Sequence, residues 1–138
     1  MKKKLGCILL VDDDEATNFL HKIVVQRSEC TNHLEVALNG EEALQYLHSA
    51  YNDAHPRPDL ILLDINMPIM NGWEFLDEYQ KLKPEQKSKT VIVMLTTSLN
   101  PDDRQRSSEI PEINGFKNKP LDEEVLLNIL KEYYPDNF

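Results

Sequence analysis

Three short runs limit what this chain can fold into. Residues 5–11, 60–63 and 91–95 are apolar at every position, and 34–38 is a companion interrupted by Glu35. A run with no polar alternate has no face to offer to water. Each therefore reads as a strand covered on both sides, as in a parallel sheet. Amphipathic stretches lie between the runs. Residues 16–27 place Ala16, Phe19, Leu20, Ile23 and Val24 at helical spacing. Residues 41–51 do so with Ala43, Leu44 and Leu47, 73–82 with Trp73, Leu76 and Tyr79, and 121–133 with Val125, Leu126 and Ile129. A polar helix is expected at 102–109 and a weak fifth strand at 113–116. Asn39-Gly40, the prolines of 53–58, Asn71-Gly72 and a polar loop at 84–89 mark the breaks. Five strand–helix units with right-handed crossovers make a doubly wound α/β fold.

With 138 residues the expectation is one domain spanning 1–138, with no room for a second. Fifteen Lys and Arg against 24 Asp and Glu give a net charge of -9. That balance argues against nucleic acid and anionic membrane surfaces as partners. Lys2–Lys4 before an apolar run look faintly like an export signal. The run stops at Asp12-Asp13-Asp14, however, and Cys7 lies at its start rather than beyond it. Cys7 and Cys30 have neither metal nor redox spacing, so reduced thiols and a cytoplasmic location are expected. His21, His33, His48 and His55 are scattered and read as surface or partly buried residues.

In an open α/β sheet, ligands bind beyond the carboxyl ends of the strands. The residues there are Asp12 and Asp13 after the first strand, Asp64 after the third, Thr96 after the fourth and Lys119 after the fifth. Carboxylates gathered at one edge repel one another unless a cation sits among them. All-oxygen donors suit Mg²⁺, which usually keeps waters and phosphate oxygens as its other ligands. An ammonium, a hydroxyl donor and a carboxylate nucleophile complete a phosphoryl-transfer set. Taken singly, each residue has a plain alternative. Asp13 or Asp14 could cap a helix, Thr96 could be a turn residue, and Lys119-Pro120 or Asp64 could belong to an ordinary loop. Their joint placement at the correct strand ends is what carries weight.

At this point the chain resembles the receiver domains of response regulators over nearly its whole length, in particular single-domain receivers of the chemotaxis type. The matching residues are Ile8–Glu15, Pro58–Pro68, Asn71-Gly72, Val91–Thr97 and Lys117–Pro120. The resemblance implies a flavodoxin-like fold with strand order 2-1-3-4-5 and five helices. It implies that Asp64 is the phosphoacceptor. Asp12, Asp13 and Asp64 would hold Mg²⁺, with Asp13 the more direct member of the acidic pair, and the backbone carbonyl of Asn66 would complete the metal site. Thr96 would be the switch hydroxyl, Lys119 would contact the phosphoryl group, and Phe116 would stand at the switch aromatic position, often Tyr. The partners implied are a sensor histidine kinase or histidine phosphotransfer protein and a downstream protein target. A phosphorylation-linked dimer is compatible with it.

This sequence departs from the family pattern in three ways. Asp14 is an additional acid. Thr97 stands where a small residue is usual, which would crowd the phosphoryl site. The loops at 51–58 and 83–90 are longer than in a minimal receiver, similar to a stand-alone subgroup paired with phytochrome-type kinases. Three other readings compete. An aspartyl-phosphate phosphatase wants an acid two residues after its nucleophile, where this chain has Asn66. A flavin-binding protein of similar topology would not place three acids beside a phosphate. A degenerate receiver that only binds proteins would not need the full set of Asp12, Asp13, Asp64, Thr96 and Lys119.

Overall fold

The structure, a computed structural model, describes residues 3–52, 55–87 and 90–138. Five parallel strands run β1 Leu5–Val11, β2 Thr31–Ala37, β3 Leu60–Leu63, β4 Val91–Thr96 and β5 Ile113–Asn118, in the order β2-β1-β3-β4-β5. The helices are α1 Glu15–Ser28, α2 Gly40–Tyr51, α3 Gly72–Gln80, α4 Pro101–Ser108 and α5 Glu123–Tyr133. The expected doubly wound fold and strand order are those observed.

Alternate residues of the central strands face opposite ways, so one run of apolar side chains feeds two cores. Leu9, Val11, Ile61, Leu63, Ile92 and Met94 pack with Ala43 and Leu47 of α2 and with Trp73, Phe75, Leu76 and Tyr79 of α3. Ile8, Leu10, Leu60, Leu62, Val93 and Leu95 pack with Val25 of α1 and with Leu126, Ile129 and Leu130 of α5. Helix starts follow their capping residues. Asn39, Asn71 and Asp122 accept from the backbone N–H groups of Glu42, Glu74 and Val125, and Asn71 with Glu74 forms a reciprocal capping box. Among the described residues no helix is long and apolar enough to cross a membrane.

Several expectations need correction. Most of the apolar stripe of α1 does not face the core: Phe19 is 65% exposed and Leu20 59%, and only Val24 packs, half-buried, against the second cluster. The buried face instead carries Asn18, His21 and Val25, spaced three and four apart. Two polar contacts set that rotation. Asn18 Nδ2 donates to the carbonyl of Asp12 at 2.8 Å, and His21 Nε2 accepts the backbone N–H of Leu121 at 3.2 Å. His21 is thus a buried residue, its pKa lowered first by burial and then by the charge of Lys119.

Strand β2 begins at Thr31 and ends at Ala37, not at 34–38, because an edge strand tolerates the polar Thr31-Asn32-His33 start. Strand β5 extends to Asn118 rather than ending at 116, and α5 begins at Glu123, behind its cap, rather than at 121. A single helical turn, Pro84–Lys87, occupies part of the expected 84–89 loop. Residues 53–54 and 88–89 of the two long loops lie outside the described residues.

Candidate phosphoryl-transfer site

The strand register brings the site together. Val11 pairs with Leu63 and Leu63 with Met94, so Asp12 and Asp64 leave adjacent strands side by side and Thr96 ends the next. Asp64 N–H donates to the carbonyl of Val11 at 2.9 Å, and Lys119 N–H donates to the carbonyl of Thr96 at 2.8 Å. Gly72 lets the helix behind approach closely. Its N–H donates to the carbonyl of Ile65 at 2.8 Å, and a Cβ there would run into the carbonyl oxygen of Asp64.

Carboxylate oxygens of Asp12, Asp13 and Asp64 lie within 4.8 Å of one another. Two oxygens on opposite sides of a Mg²⁺ ion, each at its normal bond length, are about 4.2 Å apart. The donor set suits a small hard cation in its chemistry, and the oxygens are near enough that small side-chain movements would bring them around one ion. Asp12 is half committed already, since its Oδ1 accepts the N–H of Asp14 at 3.0 Å. Asp14 itself turns away. Its carboxylate accepts from the backbone N–H and the hydroxyl of Thr17 as the N-cap of α1, and these bonds hold its pKa below the usual carboxylate range. The additional acid thus has a structural use. Asn66 is exposed in the loop after β3.

Lys119 supplies the counter-charge. Its Nζ donates to Asp12 Oδ2 and lies 3.5 Å from Asp64 Oδ1. Burial nonetheless dominates at Asp64, pushing its pKa up to about 6. Lys119 opposes the shift and Asp12 adds to it. A proton and a cation then compete for the same oxygens. Mg²⁺ affinity should be flat above about pH 7 and fall by up to about tenfold per pH unit below about 6, one proton being displaced per ion. Titration of Mg²⁺ across this range checks it, and an affinity independent of pH would contradict the shift.

Thr96 is fully buried. Its Oγ1 accepts the N–H of Ser98 at 3.1 Å. Phe116 is half-buried against the core cluster of α2 and α3, with the Arg104 guanidinium 5.1 Å from its ring centroid. Thr97 is exposed.

The loop after β3 also holds a strained residue. Ile69 has φ 68, an uncommon conformation for a β-branched residue, and a 2.7 Å bond from Met70 N–H to the Pro68 carbonyl closes the turn around it. Strain of this kind collects at functional loops. Pro68 next to Asn71-Gly72 signals a turn, but not that an isoleucine would adopt it.

Fold and site together define a doubly wound α/β module: a parallel sheet with three acids, a hydroxyl and a lysine at its carboxyl edge. The family model described as "Response regulator receiver domain" matches residues 8–131, and the chain belongs to that family. Members accept a phosphoryl group on an aspartate, bind Mg²⁺ at an acidic pocket, receive phosphate from histidine kinases and signal to other proteins; they are generally non-catalytic signalling modules. The chain is 39% identical to the response regulator Rcp1 of Synechocystis, over 81% of this chain and 75% of that one. Its fold is similar to that of a two-component response regulator from Cytophaga hutchinsonii (TM-score 0.86, 28% identity, 96% and 99% of the two chains). It is also similar to the phosphorylated cyanobacterial phytochrome response regulator RcpA (TM-score 0.77, 31% identity, 97% and 96%).

Proposed function

We propose that residues 1–138 act as a single cytoplasmic receiver domain, phosphorylated on Asp64 by a histidine kinase or histidine phosphotransfer protein and signalling to a protein target. The observation that carries this reading is the convergence of Asp12, Asp13, Asp64 and Lys119 at one sheet edge. Asp12 and Asp13, with Asp64 and the Asn66 carbonyl, would hold Mg²⁺. The ion, when bound, supplies positive charge against the phosphoryl oxygens. A carboxylate oxygen of Asp64 attacks the phosphorus, an O–P bond forms, and the N–P bond to the donor imidazole breaks. Lys119 already reaches the Asp64 carboxylate, so its ammonium can follow the phosphoryl oxygens once they are there. Thr96 can exchange its bond from Ser98 for one to a phosphoryl oxygen. Phe116, one strand over, can then move inward.

The test is intact mass spectrometry after incubation with acetyl phosphate. Wild type should gain one phosphoryl group with Mg²⁺ and none in EDTA, and Asp64→Asn should gain none in either. Equal uptake by Asp64→Asn would reject the assignment. Absence of uptake by wild type would favour a receiver that works without phosphorylation.

A further inference from the structure

Helix α4 is unusual in how it is held. Only Ser107 on it is buried, and none of its eight residues is a large apolar side chain. Its fastening is cationic and polar. Arg104 lies over the ring of Phe116 at 5.1 Å, and Arg106 over the ring of Trp73 on α3 at 4.5 Å. At its N-terminal end Ser98 Oγ donates to Asp103 Oδ2 at 2.5 Å and accepts the N–H of Asn100 at 3.2 Å. Ser98 is also the residue whose N–H is held by Thr96 Oγ1, and its carbonyl accepts from Asn118 Nδ2 at 2.9 Å. A Thr96 side chain that swings toward a phosphoryl oxygen draws its Oγ1 away from Ser98 N–H, and the displacement passes to Ser98, whose own hydroxyl tethers α4 through Asp103. The helix that would loosen is the one whose arginine covers the aromatic ring expected to move.

From this we infer that Arg104 is a positioning residue for signalling. Its guanidinium holds Phe116 in the half-buried state seen here, and this contact has to break before the ring can respond to Asp64. Phe116 has no hydroxyl to tie it elsewhere, so Arg104 over its face and the apolar packing beneath it set the balance. The inference rests on the receiver reading above. Its consequence follows from linkage: whatever favours the unphosphorylated ring position weakens binding of a phosphoryl group or its mimic by the same factor.

The experiment measures affinity for beryllofluoride in saturating Mg²⁺, with Mg²⁺ affinity measured separately. Arg104→Gln should tighten beryllofluoride binding about two- to fivefold, the range of a cation–π contact at a partly exposed site. Its Mg²⁺ affinity should match wild type, which a general loosening of the site would not leave unchanged. Arg104→Lys should fall between, since an ammonium keeps the charge and loses the planar stacking. In a Phe116→Leu background, which keeps apolar volume without a ring face, Arg104→Gln should change nothing further. An unchanged affinity in Arg104→Gln would overturn the inference. So would the same tightening in Arg106→Gln, since loosening α4 alone would then suffice. Failure of wild type to bind beryllofluoride would overturn the receiver reading and the inference with it, so the two failures are distinct.

Discussion

Replacing Lys119 by Ala should destabilise the metal-free protein by about 3–5 kcal/mol, the usual result of removing one partner from a buried ion pair. The lysine side chain is 12% exposed, and those of Asp12 and Asp64 6% and 9%, so solvent does little to screen the two carboxylates once the ammonium is gone. Asp12 keeps its bond from Asp14 N–H, but Asp64 loses the main influence holding its pKa down. Protonation of Asp64 near neutrality then caps the loss, which places the expected value toward the lower end of the range. Urea denaturation in EDTA at about pH 7.5 is the measurement. Lys119→Met keeps the aliphatic stem and should lose nearly as much, which assigns the effect to charge rather than packing. Saturating Mg²⁺ should recover most of the loss in both variants, because the ion offers the carboxylates another counter-charge and stabilises by mass action. A Lys119→Ala protein as stable as wild type in EDTA would mean that the pair contributes nothing, despite its burial.

The parts of the molecule that were legible in the sequence share a physical reason. Strands buried on both faces must be apolar throughout, so residues 5–11, 60–63 and 91–95 announced themselves, and the first polar residue after each marked the sheet edge. Asp12, Asp64 and Thr96 stand where those runs stop. What stayed hidden was decided by contacts distant in sequence. The rotation of α1 follows from Asn18 reaching the Asp12 carbonyl and His21 reaching Leu121, and no periodicity within 16–27 records either. The polar start of β2 is possible because the strand has a neighbour on one side only. The two arginine–aromatic contacts of α4 leave no hydrophobic stripe to read, since the apolar surface belongs to Phe116 and Trp73 on other elements. The acid triplet is ambiguous in sequence for a related reason: capping and metal binding use the same side chain, and only the fold separates Asp14, bound to Thr17, from Asp13 beside Asp64.

Asp64→Asn should have the opposite effect on stability to Lys119→Ala, and by a similar amount. In the folded protein Asp64 titrates near 6, against 3.8 for the unperturbed group. The folded state therefore prefers the neutral carboxyl. Below about pH 3 both states carry the proton and the residue contributes no penalty. As pH rises through 6 the unfolded chain has already ionised while the fold resists, and stability declines. Above that range the charged group costs the fold about 3 kcal/mol, from a shift of roughly two pH units at 1.36 kcal/mol each. Asparagine has nearly the same shape and no charge to bury, so at about pH 7.5 in EDTA the variant should exceed wild type by up to about 3 kcal/mol. The difference should vanish at about pH 3. Lys119 retains Asp12 in the variant, so no ammonium is stranded. Mg²⁺ should narrow the gap from the other side, by stabilising wild type more than the variant that lacks one of its three carboxylates. Urea midpoints at two pH values, each with and without Mg²⁺, resolve all four conditions. A variant less stable than wild type in EDTA at about pH 7.5 would show that the Lys119 attraction outweighs burial at Asp64. The expected sign agrees with the cation-binding role proposed for Asp64: a carboxylate held at a cost in the metal-free fold is relieved when a cation settles beside it.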